Sequence, residues 1–179
     1  MIMGERLTEE EVHSKAGWGH KVRYRLASGF IEAGDRVVDA ACGIGYGESF
    51  INTDATYYGI DLLDVSKRVE TNRYRCWVEA DLQEIDIDFV FDVGISFETI
   101  EHLPDYSNLL TQLKKAKKWV VCSVPVVPTV HLNEYHVHDF APLEFPSIFE
   151  DDDWDLYQYL AQPQELSEIY IFKRRDFNG

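Results

Sequence analysis

Hydrophobic residues along the chain follow two different spacings, and these predict where strands and helices lie. Short apolar runs are typical of buried strands, whereas apolar residues that recur every three to four positions are typical of helices. We predict strands over residues 36–40, 56–60, 73–78, 91–97 and 119–124, and helices over residues 16–33, 45–52, 64–71 and 104–118. Strands and helices that alternate in this way build a parallel sheet with helices on both faces.

The pattern changes in the last quarter of the chain. A short helix is predicted over residues 140–149, and strands with alternating side chains over residues 154–160 and 168–173. Gln162-Pro163-Gln164 lies between these two strands, which indicates an antiparallel hairpin at the edge of the sheet. No internal repeat or long linker interrupts the sequence. We therefore predict one α/β domain over residues 1–179, with a flexible N-terminus over residues 1–15.

The first predicted strand runs directly into a glycine-rich turn. Residues 37–47 read Val-Val-Asp-Ala-Ala-Cys-Gly-Ile-Gly-Tyr-Gly, and glycines of this kind let a ligand approach the backbone closely. Such turns usually bind phosphate, yet residues 37–66 contain no Lys or Arg and five acidic residues. A phosphate would meet like charge there. A ligand with cationic groups, ribose hydroxyls and an exocyclic amine fits better, and S-adenosylmethionine has all three.

Three successive strands end at or near an acidic residue. Asp39, Asp61 and Asp81 hold these positions, and ligands of open α/β sheets bind beyond the carboxyl ends of the strands. Asp61 can accept two hydrogen bonds from a ribose diol, Asp81 can accept one from an adenine amine, and Asp39 suits a ligand ammonium or its water network. A single acid at a strand end is common, but three in succession beside a glycine turn are a much stronger signal.

These features together resemble the class I S-adenosylmethionine-dependent methyltransferases. The resemblance covers roughly residues 16–140 and continues weakly to the end of the chain. Arg23-Tyr24 resembles the segment that closes over the cofactor, and residues 37–47 resemble the cofactor loop. Residues 59–61 resemble the ribose-binding strand end, and residues 80–82 resemble the adenine-binding element. Residues 91–103 resemble the fourth strand with the start of its helix, and residues 169–173 resemble the last strand.

The resemblance implies a Rossmann-like, mostly parallel sheet in the strand order 3-2-1-4-5-7-6, with strand 7 antiparallel. It implies that residues 36–124 form a cofactor-binding core, and that residues 125–179 form a substrate-side segment and the C-terminal hairpin. The cofactor-binding residues that it implies are Tyr24, Asp39, Ala40, Gly43, Gly45, Tyr46, Asp61, Leu62, Asp81, Leu82, Ser96 and Phe97.

Methyl transfer displaces a sulfur from a methyl group that is already activated, so it needs a general base only when the nucleophile must lose a proton. We therefore expect no fixed catalytic residue. Glu98 and His102 follow the fourth strand, where the reacting centre should lie, and His136 and His138 follow the fifth and would share one face of an extended segment. Structural roles for the histidines stay open. No metal is expected, because Asp139 is the only acid convincingly placed beside His136 and His138.

The composition of the chain limits the classes of partner that it is expected to bind. The sequence has 17 Lys and Arg against 32 Asp and Glu, a net charge of −15, which opposes binding to nucleic acid. No apolar run is long enough to span a membrane and no signal peptide is evident, so a cytoplasmic protein is expected. The three cysteines, Cys42, Cys76 and Cys122, have neither the number nor the spacing of a disulfide framework or zinc site.

Missing motifs indicate a small or metabolite-like acceptor. The fourth strand ends in Ser96-Phe97-Glu98-Thr99, without the Asn/Asp-Pro-Pro-aromatic motif of enzymes that methylate base amines, and no Pro-Cys pair is present for cytosine C5 chemistry. The chain is short for the family, which suggests an open site or one completed by a second subunit of a homo-oligomer.

Two other functions remain as hypotheses. The first is a methyltransferase-like domain that binds S-adenosylmethionine but has lost catalysis and serves as a scaffold. The second is a nicotinamide-dependent oxidoreductase, which ranks far lower because the glycine spacing here is Gly-x-Gly-x-Gly rather than Gly-x-Gly-x-x-Gly.

Overall fold

A computed structural model describes residues 17–51, 54–63 and 72–179. Its strands form one sheet in the order β3-β2-β1-β4-β5-β7-β6, in which β7 runs antiparallel to both of its neighbours and every other pairing is parallel. The fold class and the strand order are therefore confirmed. The strands are β1 Arg36–Ala40, β2 Thr56–Asp61, β3 Arg75–Glu79, β4 Val93–Phe97, β5 Trp119–Pro125, β6 Trp154–Gln162 and β7 Ser167–Arg174.

The helices of the described residues are shorter than predicted. They are α1 Trp18–Ser28, α2 Ser107–Leu113 and α3 Phe145–Phe149, with single 3₁₀ helices over Tyr46–Phe50 and Ile100–His102. The prediction over residues 104–118 was too long. The Ser107 amide donates a hydrogen bond to Asp105 where α2 begins, and Lys115 and Ala116 close the other end with shorter-range turns. The predicted helix over residues 64–71 and the flexible N-terminus over residues 1–15 lie outside the described residues.

Small differences at the strand starts also have local causes. β3 begins at Arg75 rather than residue 73 because Asn72 and Arg75 exchange backbone hydrogen bonds in a tight turn. β4 begins at Val93 rather than residue 91. At Asp92 the backbone amide donates to the Arg36 carbonyl, and the side chain, in place of the backbone carbonyl, accepts from the Arg36 amide.

Apolar side chains cover both faces of the sheet. Neighbouring residues of β1, Val37 and Val38, are fully buried in two separate clusters, as the alternation of a strand requires. Tyr24 of α1 packs in one cluster, whereas Leu113 of α2 and Phe149 of α3 pack in the other. Burial on both faces explains why the inner strands read as continuous apolar runs.

The register of the sheet brings the strand ends together. Asp39 pairs with Gly59 of β2 and with Ile95 of β4, so the carboxyl ends of these three strands meet at one edge. Across residues 17–51, 54–63 and 72–179, no helix combines the length and the apolar character needed to cross a membrane.

Candidate active site

A cavity of about 450 Å³ opens at the carboxyl ends of β1, β2 and β4. Its volume lies within the range of small-molecule sites, roughly 300–1,000 Å³. Seven of the site residues predicted from the sequence line it. They are Tyr24, Gly43, Tyr46, Asp61, Phe97, Glu98 and His102. The position of this cavity agrees with the rule for open α/β sheets.

The glycine loop owes its shape to left-handed backbone. Gly43 and Gly45 have φ of 60° and 84°, which glycine adopts without strain, and the non-glycine Ala41 has φ of 67°. The amides of Ala41 and Cys42 both donate to the carbonyl of Ile60, at 2.8 and 3.1 Å, which fixes the loop to the end of β2. A Cβ added to Gly43 would meet no atom within 4 Å, whereas one added to Gly47 would lie 2.3 Å from the Tyr24 ring. The loop thus needs glycine at Gly47 for packing.

Asp61 lies in the cavity wall with its carboxylate already oriented. Its Oδ2 accepts from the amide of Gly43 at 2.9 Å, and its Oδ1 accepts from the amide of Leu63 at 3.0 Å. A carboxylate held in this way presents two acceptor oxygens, which suit the two hydroxyls of a ligand diol. The side chain is only 2% exposed, and its position joins the glycine loop to the end of β2.

Asp39 lies behind the cavity wall rather than in it. Its Oδ2 accepts from the hydroxyls of Tyr24 at 2.8 Å and Tyr57 at 2.5 Å, while its Oδ1 has no partner among the described residues. Burial raises the pKa of Asp39 to about 6, although the two tyrosine hydroxyls hold it down; nearby Asp61 raises it further. A buried carboxyl whose pKa is raised in this way would favour positive charge in the cavity in front of it.

The third strand-end acid also lies outside the cavity lining. Asp81 accepts a hydrogen bond from the amide of Gln83 at 2.9 Å, and this turn brings Gln83 into the lining in its place. The remaining predicted cofactor residues lie close to the lining without forming it. They are Ala40, Gly45, Leu62, Leu82 and Ser96.

Glu98 is held by a buried arginine that the sequence did not identify as a site residue. Its Oε1 accepts from the Ser123 hydroxyl at 2.7 Å, and its Oε2 lies 3.4 Å from Nη2 of Arg23. Arg23 is 1% exposed and also donates to Gln162 and Ser167 of the C-terminal hairpin. Burial raises the pKa of Glu98, with Arg23 opposing the shift. A carboxyl with a raised pKa is better suited to take up a proton near neutral pH.

The three predicted histidines have different surroundings. His102 lines the cavity, and its ring packs edge-on against that of His136, with centroids 4.6 Å apart. His138 lies outside the lining, where its Nε2 is 2.8 Å from the carbonyl of Leu103 and its ring packs against Tyr106. His136 and His138 therefore contact different partners.

Several lining residues were missed by the sequence analysis. His20 comes from α1, and three others come from the loop after β5, where no motif marks them. The missed residues are His20, Ala41, Cys42, Gln83, Thr99, Pro104, Glu134, Tyr135 and Val137. Of these, Cys42 and Ala41 lie inside the quoted glycine motif, and their neighbours were the signal that could have identified them.

The sequence matches the family model of a methyltransferase domain over residues 13–178. The chain belongs to this methyltransferase family. A search of curated protein sequences finds no significant match.

Solved structures share the fold of this methyltransferase domain at low sequence identity. The N-methyltransferase NodS from Bradyrhizobium japonicum WM9, in complex with S-adenosylhomocysteine, has a TM-score of 0.67 at 13% identity, over 94% of this chain and 96% of that one. An rRNA methylase from Escherichia coli has a TM-score of 0.65 at 12% identity, over 93% and 67%. The [4+2]-cyclase SpnF has a TM-score of 0.72 at 8% identity, over 97% and 87%. These likenesses establish the fold and leave the acceptor open.

Proposed function

We propose that this protein transfers a methyl group from S-adenosylmethionine to a small, metabolite-like acceptor. The observation that carries the proposal is the cavity at the strand ends, in which a glycine loop and the oriented carboxylate of Asp61 meet. Among the described residues, the lining contains no Lys or Arg, and it contains the acids Asp61, Glu98 and Glu134. Such a lining suits a donor that carries a sulfonium better than one that carries a phosphate.

The residues present fit the cofactor that the sequence predicts. Asp61 would accept from the ribose diol, Gln83 offers an amide for the adenine edge, and Gly43 leaves open space beside the loop. The buried carboxyl of Asp39, with one oxygen unpartnered among the described residues, would favour the positive charge of the donor. When bound, S-adenosylmethionine supplies a methyl group that an acceptor nucleophile can displace from its sulfur.

The acceptor would meet the residues that follow β4 and β5. Glu98, Thr99, His102, Tyr135 and Val137 line the same cavity as Asp61. Glu98 is the best candidate to take a proton from the acceptor, because burial raises the pKa of its carboxyl. Its positive φ of 48° fixes the direction in which the side chain leaves the strand. The acidic lining favours a neutral or cationic acceptor over an anionic one.

The second hypothesis is a domain that binds the cofactor without transferring a methyl group. It has one specific argument in its favour, because the fold is shared by a protein named as a [4+2]-cyclase, so fold alone does not fix the reaction. The expected cytoplasmic location and a homo-oligomeric state are also retained as proposals.

Two measurements test these hypotheses in turn. Calorimetric titration with S-adenosylmethionine, S-adenosylhomocysteine and NAD should show binding of the first two and none of the third. Incubation with deuterated-methyl S-adenosylmethionine and metabolite extracts should then yield an acceptor with the mass of the transferred label. Binding of NAD alone would overturn the cofactor assignment, whereas tight binding without transfer to any pool would favour the non-catalytic hypothesis.

A further inference from the structure

A group of three side chains beside the cavity has the composition of a metal site. Ligand atoms of Glu101, His102 and His136 all lie within 4.8 Å of one another, and Glu101 Oε1 is 3.8 Å from His102 Nε2. Two ligands of a single ion at about 2.1 Å lie about 3.4 Å apart in tetrahedral geometry, so small side-chain rotations would close the group around an ion. We propose that Glu101, His102 and His136 bind one divalent transition-metal cation at the edge of the cavity.

Each imidazole has a hydrogen-bond partner at Nδ1, the arrangement in which a histidine binds a metal through Nε2. Nδ1 of His102 is 3.1 Å from the carbonyl oxygen of Tyr135. A carbonyl can only accept, so Nδ1 carries the hydrogen and the lone pair of the neutral ring is on Nε2. Backbone carbonyls in this position are a usual partner of metal-binding histidines.

The same reasoning applies to His136 through a threonine. The Thr129 hydroxyl lies 2.6 Å from Nδ1 of His136 and 3.4 Å from Oδ1 of Asp139. When the hydroxyl donates to Asp139 it accepts from Nδ1 of His136, and the lone pair of that ring is then on Nε2. Asp139 also accepts from the amide of Thr129 at 2.6 Å and that of Val130 at 3.0 Å, which closes the loop on itself. Asp139 thus orients His136 indirectly, through Thr129.

Backbone contacts connect the loop to the segment that carries the other two ligands. The amides of Val137 and His138 donate to the carbonyl of Glu101 at 2.8 and 3.3 Å. His136 is therefore fixed next to Glu101 and His102 although it lies 34 residues further along the chain than His102. A site whose ligands come from separate but mutually anchored segments is preorganised for binding.

The ligand set indicates which cation would bind. Two imidazole nitrogens and one carboxylate oxygen favour first-row transition ions such as Mn²⁺, Co²⁺ or Zn²⁺ over Mg²⁺, which prefers oxygen. Three protein ligands leave coordination positions open, and His102 borders the cavity. An oxygen atom of the acceptor could fill such a position, which orients it for the reaction. Only this last role depends on the proposed function; binding of the cation does not.

The test is a titration of the full chain with MnCl₂, in which the electron paramagnetic resonance signal reports free Mn²⁺. We expect one bound ion, and we expect Glu101→Gln, His102→Asn and His136→Asn each to weaken binding about tenfold or more. Asparagine keeps an amide donor at the position of Nδ1 and lacks an atom at that of Nε2. His131→Asn, in the same loop but outside the group, is the matched control and should bind Mn²⁺ as the wild type does.

Circular dichroism and melting temperature of each variant show whether it is folded. Wild-type protein that binds no Mn²⁺, or folded variants that bind it as tightly as wild type, would overturn the proposal; the second result would assign the ion to the acidic surface. Pulsed measurements should also show nitrogen couplings to the bound ion that the double variant His102→Asn/His136→Asn lacks. Titration with S-adenosylhomocysteine in the presence of a chelator separates the two proposals, because either ligand can bind when the other does not.

Discussion

The buried carboxyl of Asp39 makes the stability of the protein depend on pH in a direction that can be tested. Burial raises its pKa from 3.8 to about 6 in the folded chain. We choose Asp39→Asn as the perturbation. The asparagine oxygen can accept the same hydrogen bonds from Tyr24 and Tyr57, but the side chain no longer titrates.

The sign follows from proton linkage. Between pH 4 and pH 6 the folded protein keeps a proton on Asp39 that the unfolded chain releases, so the stabilisation is complete only well below pH 4 and is lost as pH rises through 6. A difference of about two pKa units corresponds to about 3 kcal/mol in total. Part of this is already lost at pH 4, so from pH 4 to pH 7 the wild type should lose about 2 kcal/mol of unfolding free energy relative to Asp39→Asn.

Urea unfolding followed by tryptophan fluorescence at each pH measures this difference. Other carboxyls titrate in both proteins and cancel, as does any constant cost of the amide. A free-energy difference that stays constant from pH 4 to pH 7 would refute the assignment of a raised pKa to Asp39. Tyr57→Phe supplies an independent check. It removes a hydrogen bond that lowers the pKa of Asp39, so the pH-dependent change should move to higher pH.

Further predictions concern the cavity wall. Asp61→Ala should weaken S-adenosylhomocysteine binding by about 1–3 kcal/mol in calorimetry, because ribose hydroxyls and two backbone amides lose their acceptor; an unchanged Kd would contradict its placement. Gly47→Ala puts a Cβ 2.3 Å from the ring of Tyr24, so lower melting temperature and weaker binding are expected, and wild-type values for both would show that the ring moves freely. Arg23→Met should cost about 3 kcal/mol of unfolding free energy by leaving Glu98 without its cation, and adding Glu98→Gln should restore part of it; a single variant as stable as wild type would show the pair to be unimportant.

Most of the sheet could be predicted from local pattern because its strands are buried on both faces. The run at residues 36–40 gave β1 with the observed bounds, and the strand order agrees with the family resemblance. Helix lengths were harder to predict. The apolar spacing over residues 104–118 continues past Leu113, but α2 begins only at Ser107, whose amide donates to Asp105, and the shorter-range turns at Lys115 and Ala116 end it.

The residues of the cavity also divide into those that local sequence pattern predicts and those that it does not. Residues beside the glycine motif could be predicted because adjacent parallel strands bring their ends to one edge of the sheet. Gln83 was missed because its amide donates a hydrogen bond to Asp81, and the resulting turn places Gln83 rather than Asp81 in the cavity lining. The pairing of Arg23 with Glu98 could not be predicted from the sequence. Arg23 lies on α1, and the C-terminal hairpin that also contacts it comes from the opposite end of the chain. Long-range convergence of this kind leaves no periodic signal.

The charge of the cavity bears more directly on the acceptor than the net charge of the protein does. His20 stays neutral at physiological pH because burial, aided by nearby Arg23, lowers its pKa to about 3. The described lining residues include no Lys or Arg, against three carboxylic acids. A nucleic-acid acceptor would have to bring its phosphates to a mouth whose described lining offers no Lys or Arg to receive them. A divalent cation bound beside His102 would add positive charge at that point of the cavity. It would favour an acceptor that offers oxygen atoms as ligands to the cation.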